Sequence, residues 1–196
     1  MFLVRVFSLP GLSFRTHCAR IADFMHEINV DRFDLDILTE LQNDATQTNA
    51  ALAERIHLSP SQVSRRRQRL EENGVLQRVV ALVDPVLAGI GAMAFAHVTL
   101  ERHGGRRTAE FESAVAALPQ VLECFSVTGE ADYVLRIVAP DLAVLSDFLL
   151  KQLLALPGVT HVRSNIALER VKQTTALPLD HLRQAPQARP RLRFAG

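Results

Sequence analysis

The stretch "LAERIHLSPSQVSRRRQRLEENGVL", residues 52–76, sets two short apolar patterns around a proline and then places four arginines in five positions. Ser59 is a good helix N-cap, and Pro60 follows at the first helical position, where its missing N–H costs nothing. Gln62 stands three after the serine, which completes a capping box. Val63 and Leu70 give this helix an inward stripe, and Gly74 supplies the left-handed residue that ends it. Upstream, Thr48 caps "NAALAERI", with Leu52, Ala53 and Ile56 facing inward. Before that, "RFDLDILTELQND" carries Phe33, Ile37, Leu38 and Leu41 on one stripe, with Asp34 as its expected N-cap. Three short helices with tight joins predict a helix-turn-helix over residues 31–76.

The arginine run asks whether this helix grips a polyanion or is simply a solvated charged face. An α-helix fits the major groove of double-stranded DNA, where arginine pairs with guanine edges or phosphates. The expected reading side carries Ser59, Ser61, Gln62, Ser64 and Arg65, with Arg66 and Arg69 one turn further on. Two features favour DNA. No acid compensates the arginines until Glu71, and the run occupies the third helix after a tight turn, where recognition helices sit.

After Gly74 the chain turns alternating and β-branched in "VLQRVVALVDP", which predicts a strand linker over 77–91. From 92 to about 180 the order is strand, helix, strand, strand, helix, strand. That order implies an antiparallel sheet with both helices on one face, a ferredoxin-like βαββαβ domain. The expected fold class is therefore α+β, a winged-helix-like N-terminal unit followed by this domain. Met93 and Phe95 alternate with Ala94, Ala96 and Val98, and Leu135 and Ile137 alternate with Val134 and Val138, so the strands are apolar on both faces. An open antiparallel face would alternate with polar residues, which predicts that a second subunit covers it.

With 196 residues, 48% of them hydrophobic, and a net charge of +1, the composition is that of a soluble globular protein with room for two small cores. Cys18 and Cys124 stand far apart and outside any metal-ligand spacing, so neither a disulfide framework nor a metal site is expected, and a reducing cytoplasm fits. Cys124, in "VLECFSV", is expected as a buried thiol. Arg5 and Pro10 interrupt the apolar N-terminus, which disfavours a secretion signal, and no run is long enough to cross a membrane. Residues 1–30 are expected as a poorly ordered extension, with translation starting at Met1 or Met25, and residues 181–196 as a disordered basic tail.

"FDLDILTELQND", the quoted arginine helix, "VTGEADYVLRIVAPD" and "LPGVTHVRSNIALERVKQTTALP" occur in an order that resembles the Lrp/AsnC family, the feast/famine transcriptional regulators. The resemblance spans about residues 31–180. It implies homodimers, often assembled into octamers, whose C-terminal domains bind an amino acid or related small molecule and thereby alter DNA binding. His57 stands where the family commonly has glycine, and Arg67 where it usually has an aliphatic residue. Histidine tolerates the left-handed region, so the turn is expected to survive. Arg67 either packs its stem and snorkels, or rotates the helix.

The turn "GEADY" is the expected effector site. Gly129 allows a backbone that exposes N–H groups to a carboxylate, and Asp132 can accept hydrogen bonds from an ammonium group. On residues alone a plain hairpin turn is the stronger explanation of Gly and Asp. The resemblance reverses that order, because the family builds its effector pocket there, and it adds Ser126, Leu142 and Ser164 as lining residues. Tyr133 either stacks in that pocket or packs. No cofactor or catalytic set is expected. The alternative from another class is an enzyme resembling the sirohaem decarboxylases on the same scaffold, which would draw on His97 and Tyr133.

Overall fold

A computed structural model of the chain describes residues 30–101 and 105–183, the side chains of Gly105 and Arg106 excepted. The expected N-terminal extension, apart from Val30, and the tail beyond Arg183 lie outside the described residues.

Helices α1 (Arg32–Asn43), α2 (Asn49–Ile56) and α3 (Pro60–Glu72) form the first unit. Their shared core is Ile37, Leu38, Leu41, Leu52, Ala53, Ile56, Val63 and Leu70. Burying each of the larger aliphatics contributes about 1.5–3 kcal/mol, and this drives three helices too short to persist alone into one body. The caps follow the sequence reading at α2 and α3. Thr48 Oγ1 accepts from the Ala51 N–H at 3.2 Å, and Ser59 and Gln62 form the reciprocal capping box. At α1 the expectation fails: Asp31, not Asp34, is the N-cap, and Asp34 is the third helical residue. Each aspartate accepts the other's backbone N–H at 3.0 Å, so the acid three residues along closes a capping box instead of opening the helix.

His57 closes α2 in the left-handed region, at φ 56° and ψ 47°. A non-glycine residue there carries strain of order 1 kcal/mol. We expect His57→Gly to raise unfolding stability by about 0.5–1 kcal/mol, the strain relieved being partly offset by unfolded-chain entropy. Urea denaturation checks this; no increase would mean that the imidazole makes a compensating contact.

The linker departs from expectation, since residues 77–91 contain no strand. A β-strand requires a neighbour for its N–H and C=O groups, and among the described residues none pairs with this segment. Val79, Val80, Leu82 and Val83 are exposed along it. Asp84 ends the segment by accepting the N–H groups of Val86 and Leu87 at 2.8 and 3.0 Å.

The second unit contains β1 (Ala92–Leu100), α4 (Gly105–Ala116), β2 (Val121–Ser126), β3 (Tyr133–Ala139), α5 (Leu142–Asp147) and β4 (Val159–Ile166). Residues Phe148–Leu153 prolong α5 as a π-helical stretch. All strand pairs are antiparallel, in the order β2-β3-β1-β4, which is the expected βαββαβ arrangement. The last strand ends at Ile166, short of the expected run to Val171, and the Ala167 N–H donates once more to Met93 O. Ala94, Ala96 and Val98 face the helices with Leu135, Ile137, Phe111, Leu145 and Phe148. The small β1 residues leave room for the helices to approach. Met93, Phe95, Val134, Val138 and Phe125 share the other face by register with His97, Arg136, Arg163 and Asn165, and Phe95 is 40% exposed there. Cys124 packs against the core; burial, helped by the Glu112 carboxylate, pushes its thiol up to about 12.

After Val171 the chain packs with the first unit. The Gln42 side chain imitates a strand edge, donating to Leu177 O at 3.3 Å and accepting from Leu177 N at 2.6 Å. Leu179 packs on the three-helix core, and Arg183, at the end of the helical turn α6 (Asp180–Arg183), pairs with Asp36 at 2.8 Å. Among the described residues no helix is long and apolar enough to cross a membrane.

Candidate nucleic-acid interface and effector turn

The capped start of α3 projects Ser61, Gln62, Ser64 and Arg65 into solvent. Ser59 Oγ lies 3.0 Å from Ser61 Oγ, and Gln62 Oε1 accepts the Ser59 N–H at 2.9 Å. The cap therefore uses the carbonyl end of Gln62. Among the described residues Arg65 has no carboxylate partner. With Arg66 and Arg69 it lines a shallow open hollow of about 240 Å³.

The other three arginines of the run are tied down. Asp34 is completely buried and accepts from Arg66 Nη1 through Oδ1 at 2.8 Å and from Arg69 Nη2 through Oδ2. Arg66 Nη1 also pairs with Asp31 at 2.7 Å, and its guanidinium lies 5.5 Å from the centre of the Phe33 ring. A buried charge is tolerated only when it is paired and hydrogen-bonded, and two guanidiniums meet that need here. Burial raises the Asp31 carboxyl, but the Asp34 N–H and the Arg66 guanidinium together outweigh it and hold the group below its ordinary value. The same carboxylates raise Arg66 against its own desolvation. Arg67 donates to Asn49 Oδ1 at 3.0 Å across to α2, so its stem packs and its head ends on a polar partner. Sequence reasoning missed this clamp, although one signal existed: Val63, Arg66, Arg67 and Leu70 follow the i, i+3, i+4, i+7 spacing of an inward face.

Of the six expected effector residues, Ser126, Gly129, Asp132 and Tyr133 gather at the β2–β3 turn. Leu142 lies at the opposite end of β3, and Ser164 on β4, across the sheet from β2. With strand neighbours about 4.8 Å apart, β2 and β4 are separated by roughly 14 Å. Gly129 takes φ 126°, which side chains rarely adopt, with open space above it. Asp132 does more than wait for a ligand: its Oδ2 accepts the Leu100 N–H at 2.7 Å and its own N–H donates to Val98 O at 3.0 Å. It thereby ties the hairpin turn to the end of β1. Tyr133 packs. It is buried, its ring centre 4.9 Å from that of Phe111, and its hydroxyl donates to Glu112 at 2.7 Å. Burial first, then Glu112, holds that hydroxyl far above the usual phenol range.

His97 pairs with Val134, the neighbour of Tyr133, and so faces the side of the sheet away from the helices. The two side chains required by the enzyme alternative therefore point to opposite faces, and that reading is not favoured. Among the described residues no group of three or more potential metal ligands occurs.

Comparison with known proteins agrees with this geometry. Residues 93–177 match the Lrp/AsnC ligand binding domain and residues 30–77 a winged helix-turn-helix DNA-binding domain. The chain is 34% identical over 151 residues to the DNA-binding transcriptional activator DecR of Escherichia coli strain K12, covering 77% of this chain and 99% of that protein. It is 37% identical over 149 residues to the leucine-responsive regulatory protein of Klebsiella pneumoniae, covering 76% and 91%. A crystal structure of a transcriptional regulator from Neisseria meningitidis in complex with L-methionine superposes with a TM-score of 0.76 at 38% identity, covering 79% of this chain and 99% of that one. An AsnC family regulator from Agrobacterium tumefaciens gives a TM-score of 0.74, also at 38%, covering 78% and 99%. A DNA-binding three-helix unit and a ligand-binding sheet unit, in this order and over nearly the whole length of those relatives, place the chain in the Lrp/AsnC family of DNA-binding transcriptional regulators.

Proposed function

We propose that α3 reads an operator in the major groove, and that an amino acid bound by the sheet unit modulates that reading. The observation that carries the DNA role is the outward set Ser61, Gln62, Ser64 and Arg65 on a helix whose start is rigidly capped. Ser59 completes the cap, and Arg69, 47% exposed on its side chain, reaches the flanking phosphates. Arg66 lies behind these side chains, held by Asp31 and Asp34.

The effector enters at the turn around Gly129, where open backbone N–H groups meet a carboxylate and Asp132 meets an ammonium group. Ser126 borders that turn. Leu142 and Ser164 reach such a ligand only from another copy of the chain, and Tyr133 supports the turn from beneath through Phe111 and Glu112. The apolar sheet face around Phe95 and Val134 is covered by a second subunit, which makes the working form a homodimer, with octamers as its further assembly, in the cytoplasm. The neighbouring L-methionine complex supports an amino acid as the ligand class.

Thermal-shift screening against the twenty amino acids, with light scattering in parallel, tests both halves of this reading. A stabilising amino acid and a dimer or larger species are expected; a monomer stabilised by none of the twenty overturns it. Asp132→Asn retains an acceptor for the Leu100 N–H and removes the charge. We expect this variant to fold and to bind operator normally, with the effector response reduced at least tenfold. Anisotropy titrations with and without the stabilising amino acid check it, and a wild-type response would remove Asp132 from the pocket.

A further inference from the structure

We infer that Asp34 and Arg66 are positioning residues for operator recognition: the ionic clamp sets the rotation of α3 about its axis, and Arg66 itself contacts no DNA. This rests on the reading of α3 given above.

Four guanidiniums occupy positions 65–69, yet three have partners inside the unit. Arg66 is only 20% exposed on its side chain and bridges Asp31 and Asp34, both in the capping box of α1. Arg69 occupies the second oxygen of Asp34, one helical turn along. Arg67 ties the opposite flank of α3 to the first residue of α2. The helix is therefore held on two sides, toward α1 and toward α2. The apolar contribution of α3 to the core comes from just two fully buried residues, Val63 and Leu70. Two contacts seven residues apart on one line leave rotation about the axis weakly fixed, and the ionic contacts to either side supply that restraint.

Base readout demands it. A recognition group must be held within roughly 0.5 Å and 10–20° of its working geometry. Ser61, Ser64 and Arg65 share one outward face by their i, i+3, i+4 spacing, so one rotation sets all three. Arg66 meets both carboxylates through one nitrogen, Nη1, while its planar guanidinium lies over the Phe33 ring; lysine, shorter and without the planar group, does not keep all three contacts in this geometry.

The test uses the full chain, a duplex selected by the wild-type protein from a random pool, and a shuffled duplex of the same composition. Arg66→Lys, Arg66→Ala and Asp34→Asn are compared at a temperature where circular dichroism shows each to be folded. For Arg66→Lys and Asp34→Asn we expect the selected-over-shuffled affinity ratio to fall at least tenfold, with binding to the shuffled duplex unchanged. In Arg66→Ala the slope of log affinity against log salt should equal that of wild type, because no phosphate contact is lost. A fall in that slope of about 0.9 would make Arg66 a phosphate contact and overturn the proposal. So would an Arg66→Lys protein with the wild-type ratio, since a role confined to stability would leave the ratio of the folded protein intact. Should Asp34→Asn fail to fold, Arg66→Lys decides alone. A wild-type protein that enriches no sequence refutes the DNA-reading role itself, a failure visible before any variant is made.

Discussion

Arg65→Ala should weaken operator binding by ten- to a hundredfold, about 1–3 kcal/mol, while leaving the stability of the protein unchanged within about 0.5 kcal/mol. The separation of the two effects follows from where the guanidinium stands. Among the described residues Arg65 alone of the four arginines has neither a carboxylate nor an amide partner, and it is exposed. Nothing in the folded unit depends on it, so truncation leaves no orphaned charge behind. In a groove, the same fork pairs bidentately with guanine or closes on a phosphate. Anisotropy on the selected duplex and urea unfolding read the two quantities separately. Unchanged affinity would take α3 out of the groove. The expected contrast with Arg66 is sharp: losing Arg66 takes the guanidinium from one oxygen of the buried Asp34, Arg69 keeping the other, so that variant acts through the protein interior, whereas Arg65→Ala acts only at the interface.

Phe111→Ala should destabilise the sheet unit by about 3–5 kcal/mol, a loss comparable to the whole stability of a small domain. Phe111 is fully buried under the sheet and packs its ring on Tyr133. Its removal opens a cavity beneath the β2–β3 turn and withdraws the surface that orients the Tyr133 hydroxyl toward Glu112. The proposed effector turn stands on that tyrosine, so any thermal shift that an amino acid gives the wild type should vanish with the stability. Tyr133 is the only tyrosine in a chain without tryptophan, so its fluorescence follows this unit selectively during urea unfolding. A change below about 1 kcal/mol would mean that the neighbours collapse into the space and that Phe111 is not the keystone its burial implies.

Much of the candidate site was legible because it is local. Ser59, Pro60 and Gln62 act on one another within four residues, and His57 and Gly74 meet left-handed turns fixed by the adjoining helices. The Gly129 turn was visible for the same reason. What the residues left open was occupancy. Asp132, expected as an acceptor for a ligand, clasps the Leu100 N–H, and Tyr133 is a packing residue, a choice that depends on which strand face the helices cover.

By its own periodicities and caps, the sequence determined three helices, a βαββαβ order and a basic third helix, since these depend on neighbours no more than one or two turns away. Which arginines face outward was decided only by folding. Asp31 and Arg66 stand 35 residues apart, and no pattern along the chain announces a pairing that arises when α1 and α3 pack. The return of residues 172–183 to the helical unit and the missing strand at 77–91 have the same origin. A segment's partner, unlike its periodicity, is a property of the assembled chain, because charge pairing and strand pairing act across space.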